Sequence, residues 1–224
     1  MALARPEAAL GRSLDTAALT RLPGGPTIGD VYGPPAETIR TQRLVLEPLA
    51  AHHADEMAPV LDDRRLHRYI GGEPLGRGDL RARYAHLAAG PEPFHQEWWL
   101  NWIVRRVRDG QAVGYVQATV SPAPPGFTVA PASAGSTVAP GPPRRIASAA
   151  WVVGTPYQGF GFATEAARAL LDRLLAHGVD DVVATIHPDN RPSAAVAAKL
   201  GLHRTGETTA EGEDVWRLPH GASP

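Results

Sequence analysis

The sequence predicts a mixed α/β fold, on the strength of three observations. First, the stretch "EWWLNWIVRRVRDGQAVGYVQATV" (residues 97–120) holds two β-rich runs joined at Asp109-Gly110, which predicts an antiparallel hairpin with a tight turn. Second, strand-like and helix-like runs alternate from residue 145 to residue 201. Third, the tail offers two final strands around a glycine-containing turn. Antiparallel strands followed by strand, helix, strand, helix and a closing hairpin together form a mixed sheet.

The length of 224 residues suits one main domain with appendages. We expect a flexible N-terminal appendage over residues 1–36, the main domain over residues 37–219 and a short tail over residues 220–224. Residues 121–143 hold seven prolines and a repeated "TVAP". Such a segment cannot bury enough apolar surface to offset its ordering entropy, so we expect an exposed proline-rich insertion there.

Each element of the main domain has its own local signal. The alternating "RLVLEPL" predicts a first strand from Arg43 to Leu49. Two helical patterns follow, one from His52 to Asp63 and one from Asp79 to Ala89. The remaining signals predict, in order, a buried strand at 145–154, a helix at 164–178 that ends at Gly178, a strand at 180–188 and a helix at 191–201.

Composition argues against several classes of function. Lys and Arg total 22 against 23 Asp and Glu, so the net charge of −1 creates no field that attracts nucleic acid or an anionic membrane. No cysteine is present, which removes disulfides, thiolate zinc sites and cysteine nucleophiles and favours a reducing compartment, the cytoplasm. No run of about 18 apolar residues predicts a membrane span. The histidines, including the pair His52-His53, show no metal-ligand pattern, so we expect no metal site.

A glycine-lined turn joins the strand at 145–154 to the helix after it, in "VVGTPYQGFGFATEAARALL" (residues 152–171). The first amides of a helix lack internal acceptors, and the helix dipole places about half a positive charge there. Gly159 and Gly161 let the backbone approach a bound group, which favours a phosphate. A dinucleotide fingerprint requires a glycine where Thr164 stands, and no Gly-Lys-Ser/Thr loop exists for a nucleoside triphosphate. An ordinary tight turn is the remaining alternative.

Two motifs and the first strand resemble one known family. Gln158-x-x-Gly161-x-Ala163 is similar to the acyl-CoA-binding motif of the GCN5-related N-acetyltransferase (GNAT) superfamily. The family's downstream motif is matched, with Leu202 where Phe is usual, at Asn190, Ser193, Lys199 and Gly201. The start "TQRLVLEPL" resembles the Thr-x-Arg-Leu-x-Leu of the branch that contains the ribosomal-protein N-terminal acetyltransferases. The likeness covers about residues 37–219 without the proline-rich insertion.

The resemblance implies the acyl-CoA N-acyltransferase fold, in which two central strands splay apart and the pantetheine arm of acetyl-CoA enters the gap. It implies that the backbone of Trp151, Val152 and Val153 contacts pantetheine. The phosphates are then expected on the amides of Gln158, Gly159, Phe160, Gly161, Phe162, Ala163 and Thr164. Asn190 is implied to hydrogen-bond pantetheine; a cap on the following helix is a compatible alternative.

The resemblance further implies an N-acetyltransferase that moves an acetyl group from acetyl-CoA to a primary amine by direct attack. Ala197 stands where many relatives place a tyrosine acid, so Ser193 is the candidate acid for the departing thiolate, as proposed in the ribosomal-protein branch. A serine that only caps or packs is the alternative. No general base is evident; the candidates are His187, Asp189, Glu213 and Asp214.

The free energy needed to deprotonate an amine indicates which acceptors such a site favours. Neutralising a lysine amine at pH 7 costs about 4.6 kcal/mol, whereas an α-amine costs about 1.4 kcal/mol. A site without a strong base therefore favours peptide N-termini or weakly basic small-molecule amines. Acetyl-CoA and such an amine are the expected partners, with no nucleic acid or membrane, and a homodimer is left open. The alternative functions are an inactive acyl-CoA-binding module in sensing or assembly and a dinucleotide-binding enzyme.

Overall fold

The fold is an eight-stranded sheet with helices on both faces. The computed structural model describes residues 36–90, 97–123 and 144–218. The strands are β1 (Ile39–Arg40), β2 (Leu44–Pro48), β3 (Trp98–Arg106), β4 (Ala112–Pro122), β5 (Arg145–Val153), β6 (Asp181–Ile186), β7 (His203–Thr208) and β8 (Asp214–Arg217). The α-helices are α1 (Ala54–Leu61), α2 (Arg64–Ile70), α3 (Arg77–Ala89), α4 (Phe162–Ala176) and α5 (Arg191–Lys199). Short 3₁₀ turns lie at Ala51–His53 and Thr155–Tyr157.

The sheet has the order β1-β2-β3-β4-β5-β6-β8-β7. Every pair of neighbouring strands is antiparallel except β5 and β6, which are parallel and are connected through α4. Two parallel neighbours need such a crossover, because the chain must return to the same end of the sheet before the second strand starts. The predicted mixed sheet is confirmed, with its early hairpin and its closing hairpin.

Residues on opposite faces of the strands build two separate cores. Trp102 of β3 packs on the face that carries α4, together with Leu170 and Leu171 of that helix. Ile103, the next residue of β3, packs on the opposite face with Met57 of α1. Because side chains alternate along a strand, one strand supplies both layers. The helices α1 and α3 therefore cover one face of the sheet, and α4 covers the other.

The sequence missed one helix and misjudged the length of one loop. The helix α2 was not predicted, since its seven residues bury only Leu66 and Ile70, too few to establish a helical period. The hairpin between β3 and β4 closes through a longer loop, at 107–111, than the tight turn expected at Asp109-Gly110. Gly110 does have the positive φ expected there, 68°.

Parts of the predicted organisation lie outside the described residues. These are residues 1–35 of the N-terminal appendage, residues 124–143 of the proline-rich insertion and the tail at 220–224. Ser121 and Pro122, which the sequence placed in the insertion, are the last residues of β4. Within the described ranges, no helix has the length and apolar character needed to cross a membrane.

We predict that Gly114→Ala destabilises the sheet. A methyl group on Gly114 would lie 2.1 Å from the carbonyl oxygen of Val152. This steric clash can be removed only if β4 and β5 move apart. We expect the free energy of unfolding to fall by about 3 kcal/mol, which lowers Tm by roughly 6–12 °C. The matched control is Gly78→Ala on α3, whose methyl group meets nothing within 4 Å. That variant should be neutral or slightly stabilising. Equal Tm values for Gly114→Ala and the parent would contradict the prediction.

Candidate active site

The strands β5 and β6 are paired over only part of their length. The register joins residues 146–148 of β5 to residues 181–183 of β6 and ends there. In contrast, β5 is paired with β4 along its whole length, from residue 145 to residue 153. The two parallel strands therefore diverge after Ser148, and the predicted splayed central pair is confirmed.

This divergence leaves backbone groups of β5 facing a cleft. The amide of Gly154 donates to the carbonyl of Val113 in β4, at 2.8 Å. Because successive residues of a strand direct their peptide groups to alternate sides, Trp151 and Val153 direct theirs away from β4 and into the gap. The side-chain amide of Gln158 donates to the Val153 carbonyl at 2.9 Å. The gap thus presents strand-like hydrogen-bonding groups to any ligand that enters it.

A cavity of about 440 Å³ occupies the cleft. It collects the predicted contact residues Trp151, Val152, Val153, Gln158, Gly159, Gly161, Phe162, Ala163, Thr164, Asn190 and Ser193. The exception is Phe160, which is absent from the lining and has 62% of its surface exposed. The volume lies within the range of small-molecule and cofactor sites.

The glycine-lined turn has the backbone conformation that only glycine adopts readily. Gly159 has a φ of 82° and Gly161 a φ of 80°. Gly161 is the N-cap of α4, so the unpaired first amides of that helix follow it directly. No atom outside the neighbouring residues lies within 4 Å of a methyl group built on Gly159. The turn is therefore open to close approach by an anionic group.

An ion-pair network supports the turn from the side of β2. The Nη1 of Arg43 donates to the carbonyl of Phe160 at 3.0 Å, and its Nε donates to Glu165 at 2.6 Å. Glu165 also accepts from the hydroxyl of Thr41 at 2.6 Å and from the backbone amide of Arg43 at 2.9 Å. The guanidinium lies 5.1 Å from the ring centroid of Phe162. The "TQR" segment that contributed to the resemblance thus connects the first long strand to the turn and to α4.

The electrostatics of this network favour an ionised Glu165. Burial of the carboxylate opposes its charge, but the hydrogen bonds from Thr41 and Arg43 outweigh that effect and hold the pKa of Glu165 below its usual value of 4.5. A carboxylate with a depressed pKa in the folded state contributes stability above pH 4.5, and that contribution is lost as the pH falls through the folded-state pKa. The network is therefore fully charged at neutral pH.

Asn190 and Ser193 lie side by side on the wall of the cleft, at the start of α5. The Oδ1 of Asn190 accepts from the backbone amide of Ser193 at 3.2 Å, so the capping role is present. Asn190 is buried, and within the described residues its Nδ2 has no hydrogen-bond partner. The hydroxyl of Ser193 likewise has no partner in the described part of the chain. Both groups are thus available to a ligand in the cavity.

The structure does not bring the four candidate bases into the cavity lining. The Nδ1 of His187 accepts from the amide of Asp189 at 3.1 Å, so the neutral ring carries its proton on Nε2 and presents a donor. Glu213 and Asp214 are buried at the β7–β8 hairpin, where Arg204 pairs with Asp214. Within the described ranges, no cluster of three or more His, Asp or Glu side chains is placed to bind a metal ion.

Sequence reasoning missed one wall of the cleft. The helix α2 lines it with Arg65, Leu66, Tyr69 and Ile70. Only the spacing of Leu66 and Ile70, one helical turn apart, signalled a helix with a buried face. Arg65 brings a positive charge to the cavity, held by Asp63 at 2.8 Å. Lys199, the only lysine of the sequence, brings a second charge, and its amine has no partner among the described residues.

A second cavity, of about 170 Å³, adjoins the first on the face covered by α1 and α3. Ile70 lines both cavities. The floor of the second cavity includes Tyr115, which lies opposite Val152 of β5 in the strand register. Burial raises the pKa of Tyr115, so its phenol stays protonated over the physiological range.

Comparison with models of protein families identifies the family to which this chain belongs. The acetyltransferase (GNAT) domain matches residues 43–203, which is most of the chain. The chain therefore belongs to the GNAT acetyltransferase family, and the suspected resemblance is confirmed. This assignment favours the acyl-CoA interpretation of the glycine-lined turn over the dinucleotide-binding one.

Individual relatives are distant. The uncharacterized N-acetyltransferase YnaD of Bacillus subtilis (strain 168) is 34% identical over 70 residues, which is 30% of this chain and 41% of that protein. The aminoglycoside acetyltransferase AAC(6')-Ib in complex with coenzyme A has a TM-score of 0.58 at 19% identity and covers 80% of this chain and 95% of its own. A Vibrio cholerae protein proposed to be a ribosomal-protein-serine acetyltransferase has a TM-score of 0.58 at 20% identity, with 83% and 99% covered. These structures show a shared fold.

We predict that Arg43→Gln weakens coenzyme A binding without unfolding the protein. The variant loses the bond to the Phe160 carbonyl and the pair with Glu165, so the turn is less well held. We expect the Kd for coenzyme A, measured by calorimetry, to rise about 10-fold. Arg108→Gln is the control, because Arg108 is exposed and pairs only with Asp109 in the β3–β4 loop. An unchanged Kd in Arg43→Gln would show that the turn keeps its shape unaided.

Proposed function

We propose that the protein is an acetyl-CoA-dependent N-acetyltransferase that acetylates a primary amine by direct attack. One observation carries the proposal: the cavity between the splayed strands collects nearly all the cofactor contacts implied by the family resemblance. A pantetheine arm in this gap bonds to the backbone of Trp151 and Val153 as an added strand would, and to the Nδ2 of Asn190. The phosphates lie on the amides of the glycine turn, with Lys199 and Arg65 as counter-charges.

The reaction needs a neutral amine, a polarised thioester and a protonated leaving group. The amine nitrogen attacks the acetyl carbonyl carbon, a C–N bond forms, and the C–S bond to coenzyme A then breaks. Ser193 donates its hydroxyl proton to the departing thiolate and recovers a proton released by the acylated nitrogen, directly or through water. Since none of the candidate bases lines the cavity, the acceptor must lose its proton readily, which supports a peptide N-terminus or a weakly basic small-molecule amine. The cytoplasmic location expected from the sequence stays a prediction.

A catalytically inactive acyl-CoA-binding module is the second candidate. It is supported by Ala197, which stands where many relatives have a tyrosine, and by the lack of a candidate base in the described lining of the cavity. Both candidates require acetyl-CoA to bind in the cleft. They differ in whether free coenzyme A is released when an amine is present.

Binding of acetyl-CoA can be measured separately from the release of free coenzyme A. Lys199 is the only lysine of the sequence, so modification of a lysine side chain reports on this site alone. We predict that acetyl-CoA slows the modification of Lys199 by an amine-reactive reagent about 10-fold, as followed by mass spectrometry, since the phosphates cover its amine. A short lysine-containing peptide added to the same reaction serves as the control, because acetyl-CoA should not change its rate of modification. Thiol release is then assayed across a panel of amines and short peptides. Protection without turnover would favour the inactive module, and a lack of protection would contradict the binding site.

We predict that Ser193→Ala lowers kcat about 100-fold and leaves the KM for acetyl-CoA within about 2-fold. The helix cap survives the substitution, because Asn190 accepts from the backbone amide of residue 193 and not from its hydroxyl. Stability should therefore be unchanged, and loss of activity reports on the hydroxyl itself. A variant with the parent's kcat would remove Ser193 from the mechanism.

A further inference from the structure

The second cavity has the size and lining of a site for one small apolar group. Its volume is about 170 Å³. An apolar protein cavity of about 150 Å³ is large enough to hold a benzene molecule. The leucine and isoleucine side chains around this cavity are Leu49, Leu61, Ile70, Leu75, Leu80 and Leu87. The cavity therefore fits an aromatic ring or a branched aliphatic chain.

Its position places such a group beside the proposed path of the donor. Tyr115 and Gln117 of β4 line the cavity, and the register sets them opposite Val152 and Ala150 of β5. Neighbouring strands lie only about 4.8 Å apart. Ile70 forms a boundary shared by the two cavities. The cavity thus borders β5 from the β4 side, and the route from an amine bound here to a thioester on the unpaired edge of β5 passes Ile70.

The helix α3 contributes an unexpected charge to this apolar lining. Leu80, Arg83, Tyr84 and Leu87 follow the i, i+3, i+4, i+7 spacing of one helix face, and all four line the cavity. Arg83 is half-buried, and within the described ranges it makes no salt bridge or hydrogen bond. Its guanidinium contributes a positive charge to the cavity lining that no described side chain neutralises. A carboxylate is the group that pairs with it best, through two parallel hydrogen bonds.

A second polar group in the lining is also unsatisfied. Tyr84 is 5% exposed, and its hydroxyl has no hydrogen-bond partner within the described residues. Burial raises its pKa more than the nearby charge of Arg83 lowers it, so the phenol stays a donor. The acidic side chain in the lining, Glu73, is exposed and lies 3.7 Å from Arg64, so it does not neutralise Arg83. An unpaired cation and an unpaired donor thus border one apolar cavity.

We propose that this cavity is the acceptor site and that it selects an amine carrying both an apolar group of about one ring and a carboxylate, which Arg83 binds. The inference rests on the proposed transfer reaction. A free α-amino acid with an aromatic or branched side chain has the three groups on one carbon atom: the side chain enters the cavity, the carboxylate meets Arg83, and the amine faces β5. A peptide N-terminus has no carboxylate at that carbon and cannot pair with Arg83. Pairing of the amino acid's carboxylate with Arg83 also offsets the extra basicity that a free carboxylate gives the neighbouring amine.

The test compares L-phenylalanine with L-phenylalaninamide, which has a neutral amide in place of the carboxylate, and with L-alanine, which lacks the ring. Because the α-amine of the amide is the weaker base, each kcat/KM is expressed per neutral amine. Thiol release from acetyl-CoA is measured for the parent, Arg83→Gln and the matched control Arg81→Gln. Arg81 lies on the same helix but pairs with Asp55 at 2.5 Å, outside the cavity. We expect the parent to prefer L-phenylalanine over both other amines by about 10- to 100-fold in kcat/KM. Arg83→Gln should lose the preference over the amide, and Arg81→Gln should keep it.

The inference is overturned if the parent acetylates the amide or a short peptide as well as the acid, or if Arg83→Gln retains the preference. Failure of the transfer reaction itself would look different, because no amine would then release thiol although acetyl-CoA still protects Lys199. In that case the affinity of L-phenylalanine for the complex of the protein with coenzyme A, measured by calorimetry, tests the acceptor site. Binding that weakens about 10-fold or more in Arg83→Gln supports the site, and a lack of binding to the parent refutes it.

Discussion

The separation of β5 from β6 is the constraint on which the rest of the structure depends. Two parallel neighbours would ordinarily pair to their ends, since unpaired backbone groups in a protein interior are unfavourable. Here each strand is secured on its outer side: β4 pairs with β5 through Val153, and β8 pairs with β6 through Ile186. The inner edges can therefore diverge without loosening either strand. They form a slot whose hydrogen-bonding groups are arranged like those of a sheet edge.

The helix α2 spans this slot on one face of the sheet. The hydroxyl of Tyr69 donates to the carbonyl of Asp189 at 3.4 Å, and its ring lies 5.7 Å from that of His187. The helix thus contacts the loop after β6 while Leu66 and Ile70 pack on Val152 of β5. It forms the outer wall of the donor cavity and, through Ile70, the partition between the two cavities. One short helix consequently separates the proposed donor site from the proposed acceptor site.

The two cavities also differ in the charged groups that line them. The donor cavity combines exposed helix amides with Arg65 and Lys199, which suits a multiply phosphorylated ligand. The proposed acceptor cavity is mostly apolar, and Arg83 brings to it a positive charge that has no counter-charge among the described residues. Arg43 serves neither cavity directly, because its bonds go to the Phe160 carbonyl and to Glu165. Its role is to hold the turn in the conformation that exposes the amides.

The sequence by itself determined the order of the long elements and the mixed sheet, and with the family resemblance it indicated about half of the residues that line the donor cavity. Those signals are local: period 2 or 3.6 in the apolar residues, glycines where φ is positive, and a Gln-x-x-Gly-x-Ala motif at a strand-to-helix junction. It also predicted that Asn190 and Ser193 lie together, because they are three residues apart at one helix start. Only the tertiary structure decided where the strands part, that α2 exists as a wall, and that Arg83, Tyr84 and Tyr115 meet around one cavity. These features depend on residues far apart in the chain and on packing between layers. No local period or motif encodes them, and a charged residue on an apolar helix face becomes informative only once its neighbours are known.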